Sequence, residues 1–163
     1  MTLKLHVYTY ICIVKLEEAI QTQTFGSEKQ KAVLHLMYTA YQLKCQISAT
    51  LKEFDLTMEQ YNVLRILKGK HPQMMCVKDI TGRMIERSSN VPRIADRLVA
   101  KKLVQRTQSK EDKRETVIAL TEKGLTTLQN SLEKMTAISE QVVSITEKEA
   151  KELNDVLEKL NAE

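Results

Sequence analysis

The residues whose types and spacing can do the most specific chemistry lie between Arg87 and Leu120. The polar run Arg87-Ser88-Ser89-Asn90 leads into Val91-Pro92-Arg93-Ile94-Ala95-Asp96-Arg97-Leu98-Val99-Ala100, a helical pattern carrying two arginines. Asparagine can pair with the edge of adenine and arginine with N7 and O6 of guanine. Asn90 and Arg93 are therefore the candidate base readers if this helix enters a major groove. Ser88, Ser89, Arg87 and the N–H groups around Pro92 at the helix start suit phosphate oxygens. Lys110, Lys113 and Arg114 follow on a polar tip between two β-rich runs. A cation there can lie along a phosphate or enter a narrow minor groove.

These side chains need elements to hold them. Ser88, Ser89 and Asn90 are all good N-cap residues, and Pro92 fits a first helical turn, where its missing N–H costs nothing. Ile94, Leu98 and Val99 are expected to face the core. Arg93 and Arg97, four apart, share a side. Leu103 to Arg106 reads as a strand, and Thr116 to Leu120 as its partner. The intervening tip, Gln108 to Lys113, has no glycine, so a loop longer than two residues is expected.

On either side, capped helices are expected. Ser27-Glu28-Lys29-Gln30, Thr57-Met58-Glu59-Gln60 and Thr146-Glu147-Lys148-Glu149 each have the capping-box pattern, with the third residue on reaching back. The first box opens a long helix whose apolar stripe runs Val33, Leu36, Met37, Ala40, Leu43, Ile47, Leu51 and Phe54. Leu34, Tyr38 and Tyr41 add a second apolar side, which suits a partner chain. The second opens a shorter helix ending at Gly69. A short helix is expected over Val77 to Ile85, with Ile80, Met84 and Ile85 inward. Thr121 caps another long helix, and the last helix should turn Leu153, Val156, Leu157 and Leu160 inward.

Composition narrows the function classes. The chain has 163 residues, no Trp, 4 Gly and 2 Pro, which favours helices over a β-sandwich. From Lys78 to Arg114 there are 11 Lys and Arg against 5 Asp and Glu, whereas Glu115 to Glu163 carries 5 against 10. A basic middle and an acidic tail are the electrostatic footprint expected of a phosphate binder. No run approaches the roughly 20 apolar residues of a membrane span. Residues 1–14 are β-branched and aromatic, and a native start near Val14 is one reading of that abrupt change. They lack a signal-peptide pattern, so a cytoplasmic protein is expected.

Cys12, Cys45 and Cys76 are odd in number and widely spaced, which fits neither a disulfide framework nor a zinc site. Cys76 and Cys45 remain candidate redox thiols, against the alternative of buried, inert side chains. His6, His35 and His71 stand apart, and no HExxH, phosphate loop or nucleophile elbow occurs. An enzyme, a metal and a cofactor are not expected.

The run Ser89 to Arg106, then Asp112-Lys113-Arg114, then Leu120-Thr121-Glu122-Lys123-Gly124, resembles the MarR family of transcriptional regulators. The family pattern is a recognition helix with Asp-Arg-Leu, a Gly-Leu-Val exit, D-x-R in the wing and Leu-Thr-x-x-Gly after it. The resemblance implies a mainly α fold: a winged helix-turn-helix with a two-stranded β-wing and long N- and C-terminal dimerisation helices. Residues 1–27 would be an N-terminal extension and 28–163 the domain. Within it, 56–121 would form the DNA-binding lobe, and 28–55 and 122–163 the dimerisation helices. It further implies a homodimer on a near-palindromic double-stranded operator, usually a repressor, often released by a small-molecule effector. By the same resemblance Asp112 braces the wing, Asp96 pairs with a wing arginine, and Arg114 does either that or contacts DNA. For Arg97 a structural salt bridge is expected. Lys102 departs from the family glycine, so a different helix cap is expected there, and Cys76 stands where Ser or Thr is usual. A thiol-sensing regulator and a helical interaction scaffold are the alternatives.

Overall fold

The computed structural model describes residues 15–109, 112–142 and 144–161. The apolar run 1–14, with the question of a native start, and the wing residue Lys110 lie outside the described residues. The elements run α1 (Leu16–Ala19), α2 (Glu28–Lys52), α3 (Met58–Lys68), β1 (Met75–Cys76), α4 (Val77–Thr81), α5 (Val91–Ala100), β2 (Val104–Gln108), β3 (Thr116–Leu120), α6 (Glu122–Val142) and α7 (Glu147–Asn161). The strands form one antiparallel sheet in the order β1-β3-β2. The β2–β3 ribbon runs in register from Val104 opposite Leu120 to Gln108 opposite Thr116. The expected two-stranded wing thus gains a third, two-residue strand, with Met75 opposite Ile118.

Two of the three capping boxes close as their sequences require. Thr57 Oγ1 accepts from the Gln60 N–H at 3.3 Å while Gln60 Oε1 accepts from the Thr57 N–H at 3.2 Å. At α7, Glu149 N–H donates to Thr146 Oγ1 and the Thr146 N–H donates to Glu149 Oε2. The third closes only halfway. Ser27 Oγ accepts from the Gln30 N–H, but Gln30 Oε1 takes the N–H of Gly26 at 2.8 Å, one residue beyond the expected donor.

The core gathers where α3, α4 and α5 meet the sheet and the base of α2 and α6. Leu51, Val63, Leu64, Ile80, Val91, Ala95, Leu98 and Ile118 are fully buried there. The buried stripe of α5 is Val91, Ala95 and Leu98, at i, i+4 and i+7, with Ile94 at its margin. Val99, expected inside, is exposed instead, because it lies one step round the helix from that stripe. α4 is also shorter than expected. It stops at Gly82, so Met84 is buried from a turn, and Ile85 is left 83% exposed instead of inward.

The ends of the chain differ from the middle. Val33, Leu36, Met37 and Tyr41 of α2 are exposed, as are Leu153, Val156 and Leu160 of α7. The inward packing expected for α7 is therefore not met within one chain, since no other segment of the described residues covers it. α1 lies over the start of α2, with Leu16 buried and Glu17 paired to Lys31 at 2.6 Å.

The exit from α5 is built on a left-handed residue. Leu103 N–H donates to Leu98 C=O and Lys102 N–H to Val99 C=O, the Schellman pattern. Lys102 sits at φ 60° in the position that favours glycine. The different helix cap expected at Lys102 is not used: hydrogen bonding holds the lysine in the glycine conformation, at a steric cost. Next to it, Thr121 Oγ1 donates to Lys102 C=O at 2.8 Å and accepts from the Gly124 N–H at 3.0 Å. A Cβ on Gly124 would fall 2.0 Å from the Leu103 carbonyl oxygen. The Leu-Thr-x-x-Gly signature is thus the joint that seats α6 against the exit of α5.

Candidate nucleic-acid interface

Helix α5 is set by its first turn. Asn90 is the N-cap, and its Oδ1 accepts from the Arg93 N–H at 3.1 Å. Of the three candidate caps, the structure uses this one. The oxygen of Asn90 is thereby committed to the helix, and its amide NH₂ is the part left for a base edge. The Val91 N–H donates to Ser89 C=O, and Pro92 has no N–H to offer. The free N–H groups expected to hold a phosphate at this helix start are therefore already used.

Opposite the buried stripe, Pro92, Arg93, Asp96 and Arg97 are all exposed. Arg97 makes no ion pair among the described residues, contrary to the salt bridge expected for it. It lines a cleft of about 280 Å³ that it shares with Thr57, Gln60, Ser89, Asn90 and Arg93. Arg87 and Ser88 are exposed at the edge of this surface, whereas Ser89 is half-buried. Ser89 Oγ is shut off from solvent and has no partner among the described residues. Of the two serines, Ser88 has the exposure that a phosphate contact needs. Glu59, also on the cleft, is held below the ordinary Glu range, first by a hydrogen bond from the Thr57 side chain.

The wing is tied to α5 by Asp96, whose carboxylate pairs with Arg106 of β2 at 2.6 Å. The arginine is thus on the strand and not at the tip. Both side chains are more than a third exposed, so the pair orients more than it stabilises, with a net worth below about 1 kcal/mol. At the tip, Asp112 Oδ1 accepts from the Arg114 N–H at 2.9 Å, and the Asp112 N–H donates to Ser109 Oγ. Asp112 thus organises its own turn. The side chains of Lys113 and Arg114 are exposed.

The candidate thiols sit on different elements. Cys45 is exposed on α2, against the expectation of burial, and Cys76 is half-buried. Cys76 caps α4, its Sγ accepting from the Asp79 N–H at 3.4 Å. His35 is exposed on α2. Among the described residues no group of three or more His, Cys, Asp and Glu is arranged to hold a metal ion, and no helix is long and apolar enough to cross a membrane.

A second feature is one whose lining composition alone does not identify. Between α2, α3 and α6 lies a cavity of about 390 Å³ with apolar walls from Leu43, Ile47, Met58, Leu132 and Met135. Gln46, Tyr61, Asn62 and Arg65 supply its polar groups. Gln46 Oε1 is buried without a partner among the described residues. The residues come from elements far apart in sequence, so no local pattern identifies them.

Comparison with known proteins places this geometry. The sequence profile of the transcriptional regulators SarA/Rot matches residues 46–131. The MarR transcription factor from Planctomyces limnophilus is 30% identical, with 85% of this chain and 98% of that one aligned and a TM-score of 0.65. AbsC, a MarR family regulator from Streptomyces coelicolor, is 24% identical over 86% of this chain and 96% of that one, with a TM-score of 0.74. The S. aureus MepR–DNA complex gives 24% identity, 79% and 94% coverage, and a TM-score of 0.70. No curated protein sequence matches.

Proposed function

The chain belongs to the SarA/Rot family of transcriptional regulators, DNA-binding proteins of MarR-like fold and not enzymes, and on that premise we propose that it acts as a homodimer on a near-palindromic operator, in the cytoplasm, repressing until an effector releases it. In this reading residues 56–121 are the DNA-binding lobe, 28–55 and 122–163 form the dimer, and 1–27 are an extension. Asn90 and Arg93 read bases. Arg87, Ser88 and Arg97 take phosphates, and Lys110, Lys113 and Arg114 reach DNA from the wing. The MepR structure is of a DNA complex, which supports carrying that partner over.

The observation that carries the reading is the division of α5. Val91, Ala95 and Leu98 fix one side in the core while Arg93 and Arg97 are exposed on the other. The Asp96–Arg106 pair then sets a second basic element beside them. The exposed apolar residues of α2 and α7 support the dimer, and symmetric pairing accounts for a palindrome. The cavity between α2, α3 and α6 supports the effector, because it is mostly apolar, with a few convergent polar groups.

The test is selection of duplexes from a random pool with the purified chain, followed by anisotropy titrations from about 50 to 200 mM salt. A palindromic consensus bound by two chains, with affinity falling steeply as salt rises, is expected. Failure to enrich any sequence, or binding by one chain, would overturn the reading.

A further inference from the structure

The turn between α4 and α5 has walls on both sites. Ile85 lines the cavity between α2, α3 and α6, while Glu86, Ser88, Ser89 and Asn90 line the cleft beside the reading helix. Met84 is buried, and the Asn62 side chain donates to its sulfur at 3.6 Å. The Ser89 N–H donates to Glu86 C=O at 3.0 Å, so the position of Glu86 is passed directly to the residue before the Asn90 cap. Glu86 is in turn held from outside the lobe, by Lys44 of α2 at 3.0 Å. Among the described residues this is the ion pair that joins α2 to the turn.

We propose that the Lys44–Glu86 pair is a positioning latch, through which α2 sets the placement of Asn90 and Arg93 and hence how sharply the protein tells its operator from other DNA. The inference rests on the reading of α5 as the recognition helix. Neither latch residue is assigned to DNA. Glu86 carries the wrong charge for a phosphate, and Lys44 belongs to the helix assigned to the dimer. The pair is about half exposed, which makes it weak as a source of stability and easily shifted by movement of α2. The hydrogen bond to Glu86 also raises the pKa of the Lys44 ammonium above its ordinary value.

The latch is tested by a charge swap. Lys44→Glu, Glu86→Lys and the double variant are titrated against a duplex selected by the parent chain and against a scrambled duplex, at fixed salt. The readout is the ratio of the two affinities, which cancels the direct effect of each charge on DNA. Each single reversal is expected to lower the ratio about three- to tenfold, and the double variant to restore most of it. Additive losses, or a restored melting temperature with an unrestored ratio, would overturn the latch. Arg93→Ala is measured alongside. If it leaves the ratio unchanged, the recognition-helix reading has failed; if it lowers the ratio while the swap shows no coupling, the latch alone has failed.

Discussion

Lys102 concentrates what single residues do in this chain. It occupies a left-handed position that glycine fills without strain, because the Schellman bonds at the end of α5 demand it. Lys102→Gly should therefore raise stability by about 1 kcal/mol, or about 2–4 °C in Tm for a chain of this size. A denaturant midpoint that does not move would show that the conformation carries no strain. Glu149 is a second case. Hydrogen bonds from the Thr146 backbone and hydroxyl hold its carboxylate below the ordinary value of 4.5. The unfolded chain then binds the proton first, so the contribution is whole above pH 4.5 and is lost as pH falls through the folded value. Amide protection at the first turn of α7, relative to the intrinsic exchange rate at each pH, should fall over that window; protection that ignores acid in this range would argue against the cap. Residue chemistry was legible in part. The Thr57 and Thr146 boxes follow from their spacing, but Asn90 could not be chosen over Ser88 and Ser89 without the backbone angles.

Elements show why the remainder was not legible. Periodicity reveals that Leu153, Val156 and Leu160 share a side, yet it is silent on whether that side meets its own core or another chain. It likewise cannot detect a strand of two residues such as Met75–Cys76, which has no period of its own and is defined by pairing with Ile118 and Val117. The ends of α4 and the outward turn of Ile85 follow from Gly82 acting as a cap, where the pattern had read through it. If α2 covers its exposed side with a second copy, Met37→Glu should place an uncompensated charge in that interface. Sedimentation should then show monomers at concentrations where the parent chain is dimeric, with helix content kept. A variant with the parent's mass would place the interface elsewhere.

At the scale of the whole molecule, the lobe proposed to bind DNA packs on the bases of the two long helices assigned to the dimer. α2 and α6 meet the lobe through α3, through the Gly124 joint and through Lys44. That arrangement suits a regulator whose two reading helices must be held at a spacing and can be moved from it. In the proposed function α5 reads sequence while the wing mainly supplies charge, and one titration series tests that division. Arg93→Ala and Lys113→Ala are measured against the selected operator and a scrambled duplex across salt. Arg93→Ala is predicted to cost about 1–3 kcal/mol at the operator and to relax its specificity, whereas Lys113→Ala should weaken both duplexes alike and reduce the salt slope by about 1. Unchanged operator affinity and specificity after Arg93→Ala would contradict the account.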